Sequence, residues 1–190
     1  VCGLLLPLEH RPPGLVDEHS QREILLALAC LVRWRDSQWA ADKGVDMIDA
    51  LDLYIGQDGH WNYDMMVNLA QRAGLEVDRD TPGQREKKGV RLTESLGRAL
   101  EGVLAFYSVT GSESALRLAK RLAEFHLEVA TRPDGSVPES DFLHTHSLLG
   151  TYRGLLLYGQ MTRQHEYVKR IAATYATTVR KAVKKSGFIS

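Results

Sequence analysis

The sequence predicts an all-α protein: antiparallel helical hairpins of an α/α toroid, about half of an (α/α)6 barrel, forming one domain over residues 1–190. Three observations carry this expectation. Apolar residues recur at three- and four-residue spacing along most of the chain, the mark of one helix face. The succession of helix, tight polar turn and helix occurs three times. The two helices of each pair also differ. The first carries Gly, Ala and Leu on most faces, as a helix buried on all sides does. The second is one-sided and belongs outside. An inner ring of helices within an outer ring is a toroid.

The elements follow in order. The opening "VCGLLLPL" has no basic residues before its apolar stretch and does not read as a signal peptide. The start at Val1 and the end in "SGFIS" are expected of a fragment of a longer protein. The first pair is "ILLALACLVRWRDSQWAADKGVDMIDALDLYI", turning at "RDSQ". Trp34 and Trp39 bracket that turn and are expected to pack. An extra segment follows. Asn62 to Ala73 reads as a short helix, and the charged stretch around 78–91, with Pro82 and Gly83, as an exposed loop.

In the second pair, Leu92, Leu96, Ala99, Leu100, Val103, Leu104 and Tyr107 share one face, Thr93 is placed to cap the start, and Gly111 to end it. Ser112 is placed to cap the next helix, whose apolar face is Leu118, Leu122, Phe125 and Val129. "RPDG" ends that helix as a turn. The third pair, "LLGTYRGLLLYGQMTRQHEYVKRIAATYATTV", lies over the second with turns about 52 residues apart; the first two turns are about 75 apart. Self-similarity at such a period indicates a helical array.

Composition removes several function classes. Lys plus Arg and Asp plus Glu both total 24, so no basic surplus suits a nucleic-acid groove. The longest apolar run, Ile24 to Val32, is too short to span a bilayer. Neither nucleic acid nor membrane is expected as a partner. Cys2 and Cys30 form no CxxC and no disulfide framework, which fits a reducing, cytoplasmic compartment. Cofactor and oligomeric state leave no signal.

The stretches "LTESLGRALEGVLAFYSVTGSESALRLAKRLAEFHLEV" and "HTHSLLGTYRGLLLYGQMTRQHEYVKRIAATY" resemble the six-hairpin (α/α)6-barrel glycosidases, most closely glycoside hydrolase family 127, the β-L-arabinofuranosidase-like group. The polar helix starts and the turn Phe106-Tyr107-Ser108-Val109-Thr110-Gly111 carry the resemblance, which covers most of residues 18–185. It implies a carbohydrate-active enzyme that hydrolyses a glycosidic bond of a plant or bacterial polysaccharide or oligosaccharide, with a carbohydrate substrate as partner. A uronate-processing hydrolase or lyase is the near variant. It also implies a glutamate and a zinc-bound cysteine cluster. This sequence has no Glu-x-Cys and no paired cysteines, so that apparatus is expected beyond Ser190. The alternative is a non-catalytic helical-repeat module that binds protein partners.

In a toroid the cleft is expected where the inner helices begin, since helix starts present unpaired N–H groups and a positive dipole end. Three polar clusters fall there: Asp17-Glu18-His19, Arg91-Leu92-Thr93-Glu94 and Asp141 to His146. A fourth, Asp58-Gly59-His60-Trp61, lies in the exit loop of the first pair. Glycoside hydrolysis needs two carboxyls roughly 5 to 9 Å apart. Glu18, Asp58 and Asp141 are the catalytic candidates. His19, His60, Trp61, Tyr63, Glu94 and His146 are the sugar-binding candidates, Trp61 and Tyr63 as stacking platforms. Plainer readings stand beside these: Asp58 as a turn former, Asp141 as an N-cap, and Glu94 as a dipole partner.

No metal ligand set is assigned. His144 and His146, two apart, point about 200° apart on a helix, and the i, i+4 spacing of helical zinc motifs is absent. Arg153 is a charge in an otherwise apolar inner helix and is expected to pair with a carboxylate on a neighbouring inner helix.

Overall fold

A computed structural model describes residues 20–59, 62, 65, 68, 71, 72, 97–128, 131–136 and 145–180. The protein is all-α, and no strand occurs among the described residues. Helix α1 (Gln21–Arg35) leads through two residues into α2 (Gln38–Tyr54). Helix α3 (Ala99–Thr110) leads into α4 (Glu113–Glu128), and α5 (Thr145–Met161) into α6 (His165–Thr174). A π-helical turn, Tyr175–Val179, continues α6. The sequence expectations on Asn62–Ala73 as a whole, on the loop at 78–91 and on Thr93 lie outside the described residues.

One turn chemistry recurs at all three junctions. A residue with positive φ ends the first helix: Asp36 at 49°, Gly111 at 66° and Arg163 at 57°. Such a left-handed residue lets backbone N–H groups reach back to otherwise orphaned carbonyls. Thus Asp36 N–H donates to Val32 O at 3.1 Å and Gly111 N–H to Tyr107 O at 2.8 Å. A cap residue follows. The Ser37 Oγ accepts from Ala40 N–H, and the Ser112 Oγ from Ala115 N–H, each at 3.3 Å. Gln164 stands at the third such position and makes no side-chain cap bond.

The left-handed residues yield an expected result of opposite sign at two equivalent sites. A Cβ at position 111 would meet nothing within 4 Å, so Gly111→Ala isolates backbone strain. It should cost about 1 kcal/mol, and Arg163→Gly should gain up to about 1 kcal/mol. Urea midpoints that move the same way for both substitutions would refute this.

The first helices lie side by side: α1 packs along α3, and α3 along α5. Each second helix packs on its own first helix, and α2 also contacts α4. The core between the layers includes Leu25, Met47, Leu51, Leu104, Phe106 and Leu122, all buried. Close approach of the first helices is made at glycine. A Cβ on Gly102 would lie 2.8 Å from Arg22 O of α1, and one on Gly154 would lie 3.0 Å from Leu100 Cβ of α3. A Cβ at Gly102 would press on the backbone of α1, and one at Gly154 would need Leu100 to give by a few tenths of an ångström.

The short turns after the second helices repeat as well. Gly59 (φ 83°) sits against Arg121 and Phe125 of α4, and Gly135 (φ 79°) against Ala173 and Thr174 of α6. Each turn therefore rests on the second helix of the following pair. Arg170 of α6 adds a bond of 2.9 Å to Leu127 O, near the end of α4.

Two expectations need correction. The first helices are not buried all round. Six successive residues of α3, Ala99 to Leu104, are buried, but α1 exposes Glu23, Ala27, Cys30, Leu31 and Trp34. The reason is neighbours: among the described helices, α3 has a first helix on each side, whereas α1 and α5 each have one. Trp34 and Trp39 do not pack either; they are 76% and 60% exposed. Trp34 falls on the open face of α1, and Trp39 on the outward side of the first turn of α2.

Candidate functional site

Of the predicted rim residues, the described part of the structure contains Asp58 and the backbone of His146. Asp58 is exposed in the turn that follows α2. Gly59 N–H donates to Gly56 O at 3.0 Å and Asn62 N–H to Tyr54 O at 2.6 Å, which folds the turn back over the end of α2. Helix α5 begins at Thr145, so His146 occupies its first turn. Glu18, His19, His60, Trp61, Tyr63, Glu94, Asp141 and His144 lie outside the described residues. The convergence of four polar clusters therefore remains an expectation. Among the described residues, no group of three or more His, Cys, Asp or Glu is placed to hold a metal ion.

What the structure brings together is a line of five charges across the three first helices. The centre is Glu101 of α3, whose side chain is 3% exposed. Its Oε2 accepts from Arg22 Nε of α1 at 2.6 Å, and its Oε1 faces Arg153 Nε of α5 at 3.0 Å. Arg22 also reaches Glu23 at 3.0 Å, and Arg98, nearly buried, reaches the same Glu23 oxygen at 2.8 Å. Burial by itself would lower the Arg22 pKa, but the hydrogen bond and charge of Glu101, with Glu23, outweigh it and raise the value above the ordinary one. Arg22 therefore stays charged wherever the protein is folded.

The expected partner of Arg153 is thus Glu101, on the neighbouring first helix. The burial is reversed from expectation: the arginine is 67% exposed and the glutamate is the buried member. The sequence contained a signal for it, since Glu101 is the one acidic residue within the apolar α3 stretch "ALEGVLAFY". Both Glu101 oxygens are engaged by guanidinium groups and closed to solvent, so Glu101 orients Arg153 rather than meeting a ligand. Arg153 keeps most of its planar fork in solvent, a geometry suited to carboxylates.

His126 and Arg121 belong to packing. His126 is fully buried in α4 with its ring edge-on to Phe125 at a centroid distance of 5.0 Å. Arg121 pairs with Asp52 of α2 and ties the second helices together. No helix among the described residues is long and apolar enough to cross a membrane. No family model, no curated protein and no solved structure matches the chain.

Proposed function

We propose that the chain is about half of an α/α toroid from a carbohydrate-active enzyme that hydrolyses a glycosidic bond, as its resemblance to glycoside hydrolase family 127 implies. One observation supports the toroid: each pair meets the next through the same positions, with glycine between first helices and a turn seated on the following second helix. Repeating one contact with a constant rotation curves an array toward a ring. Short turns such as that holding Asp58 then gather at the end where first helices begin. The sugar would be held there by His19, His60, Trp61, Tyr63, Glu94 and His146, with Glu18, Asp58 and Asp141 as the carboxyls.

Titration of the chain with L-arabinose, glucose and glucuronate, followed by tryptophan fluorescence, tests this reading. Saturable quenching is expected, with Kd near a millimolar for single sugars, about −4 kcal/mol. Trp61→Phe should abolish the signal and His146→Ala should weaken binding at least tenfold. If no sugar gives a saturable signal, or both variants titrate as the parent does, the assignment fails.

The alternative, a binding module for protein partners, is favoured by the exposed Trp34, Trp39 and Leu53. Such a module would show no response to any sugar.

A further inference from the structure

The outward faces of α2 and α4 stand at equivalent places in the array and differ in chemistry. That of α4 carries Glu113, Arg117, Lys120, Glu124 and Glu128. Charges of both signs meet there, Arg117 with Glu113 at 3.8 Å and Lys120 with Glu124 at 3.7 Å, and α4 exposes no large apolar side chain. That is a solvated face. On α2 the exposed residues include Trp39, Asp42, Asp46, Asp49 and Leu53. Their spacing, i, i+3, i+7, i+10 and i+14, puts them on one face. By the helical turn angle, Asp42, Asp49 and Leu53 stand opposite the buried line Ala40, Gly44, Met47 and Leu51, with Trp39 beside them. Trp39 is 60% and Leu53 68% exposed.

The charge on this face is not cancelled within the chain. Lys43, the one basic residue of α2, is taken by Asp46 at 2.7 Å. Asp52, at the edge of the face, is taken by Arg121 of α4. Among the described residues, Asp42 accepts from the neutral amide of Gln38 at 2.9 Å and meets no cation within ion-pair distance, and nothing bonds to Asp49. Two carboxylates, two turns apart, therefore keep their charge between two large apolar side chains. Single exposed apolar residues are ordinary. A pair of them framing uncancelled charge is the pattern of an interface, in which aromatic anchors hold and charge selects the sign of the partner.

The chemistry narrows that partner. Negative charge turns away nucleic acid and anionic lipid. The middle of a helix has its backbone groups paired, so a strand cannot add to it. Another helix fits, with its side chains seated between those of α2. Further pairs of the same array would lie beside α2 rather than across this face, since each pair meets its neighbours.

We infer that the outward face of α2 docks a basic amphipathic helix of a partner protein. Its apolar residues seat at Trp39 and Leu53, about 21 Å apart along the helix, and its lysines or arginines lie between them against Asp42 and Asp49. This gives the protein-binding alternative a surface and a partner, and it does not rest on the sugar-hydrolysing reading.

A synthetic peptide tests it on the 190-residue chain. The probe is an alanine-based helix of roughly 20 residues, with two leucines about four turns apart and lysines on the same face between them. Fluorescence anisotropy of the labelled peptide should saturate with Kd on the order of 10–100 µM, and salt raised to about 0.5 M should weaken binding. Trp39→Ala and the double variant Asp42→Asn/Asp49→Asn should each raise Kd about tenfold. All three residues are exposed, so these variants should keep the helical circular dichroism of the parent. Glu124→Gln removes the same charge from the α4 face and should leave Kd unchanged. No saturation by about 1 mM peptide overturns the inference, as does equal binding of a peptide carrying glutamates in place of the lysines. So does Glu124→Gln weakening binding as much as the α2 variants do, or a Kd that Trp39→Ala leaves as it was. Peptide binding by a chain that answers to no sugar upholds this inference while the sugar reading fails.

Discussion

Gly44→Ala is expected to destabilise the protein by roughly 2–3 kcal/mol, although alanine is the better helix former by about 1 kcal/mol. Gly44 is in the middle of α2, and a Cβ there would lie 2.0 Å from Cε2 and 2.3 Å from Cζ of Phe106. Phe106 is fully buried among core side chains, so its ring has nowhere to go. Either α2 withdraws from α3 or the ring leaves its rotamer, and both outweigh the gain in propensity. A thermal midpoint lowered by about 5–10 °C is the expected reading for a chain of this size. Phe106→Leu removes Cε2 and Cζ. In the double variant Gly44→Ala/Phe106→Leu the alanine should cost at least about 1 kcal/mol less than alone, a coupling characteristic of residues in contact. Additive midpoints would show that the ring is not the obstacle.

Glu101→Ala is expected to cost roughly 2 kcal/mol. Removing one partner of a fully buried ion pair costs about 3–5 kcal/mol, because the remaining charge is stranded. Here the stranding is partial. Arg22 keeps 23% of its side chain in solvent and retains Glu23, while Arg153 is 67% exposed and turns into water. The two arginines should therefore differ. Arg153→Ala should change stability by no more than about 0.5 kcal/mol, as exposed pairs do. Arg22→Ala should cost about 1–2 kcal/mol, since it leaves the carboxylate of Glu101 closed in with one guanidinium. Chemical denaturation of the three variants reads this order directly. Equal costs at Arg22 and Arg153 would mean that burial does not control the network.

Much of the local structure was legible from residue order. Gly111 and Ser112 end one helix and cap the next through backbone contacts a few residues away, which are contacts between sequence neighbours. The alternation of an apolar helix with a one-sided helix was legible for the same reason, since periodicity records which faces are covered. The partner of Arg153 was legible in kind, because a charge among apolar residues needs an opposite charge nearby. Its identity, Glu101, depends on the lateral register of α3 against α5. Trp34 and Trp39 were misread for a related reason. A tryptophan beside a turn packs when an element lies over that turn, and composition says nothing about whether one does. Of the proposed rim, Asp58 is an exposed turn residue, and its company depends on segments outside the described residues.

Residue order by itself determined that this chain is helical, where its three described turns fall, and that its pairs repeat. All of these follow from contacts within about four residues, or from the period of apolar side chains. Only the tertiary structure decided which described helix is covered on both sides, that Glu101 rather than Arg153 is the buried charge, and that α1 exposes Leu31 and Trp34. Those outcomes depend on how many neighbours each helix has, a property of the assembled array that no single stretch of sequence carries.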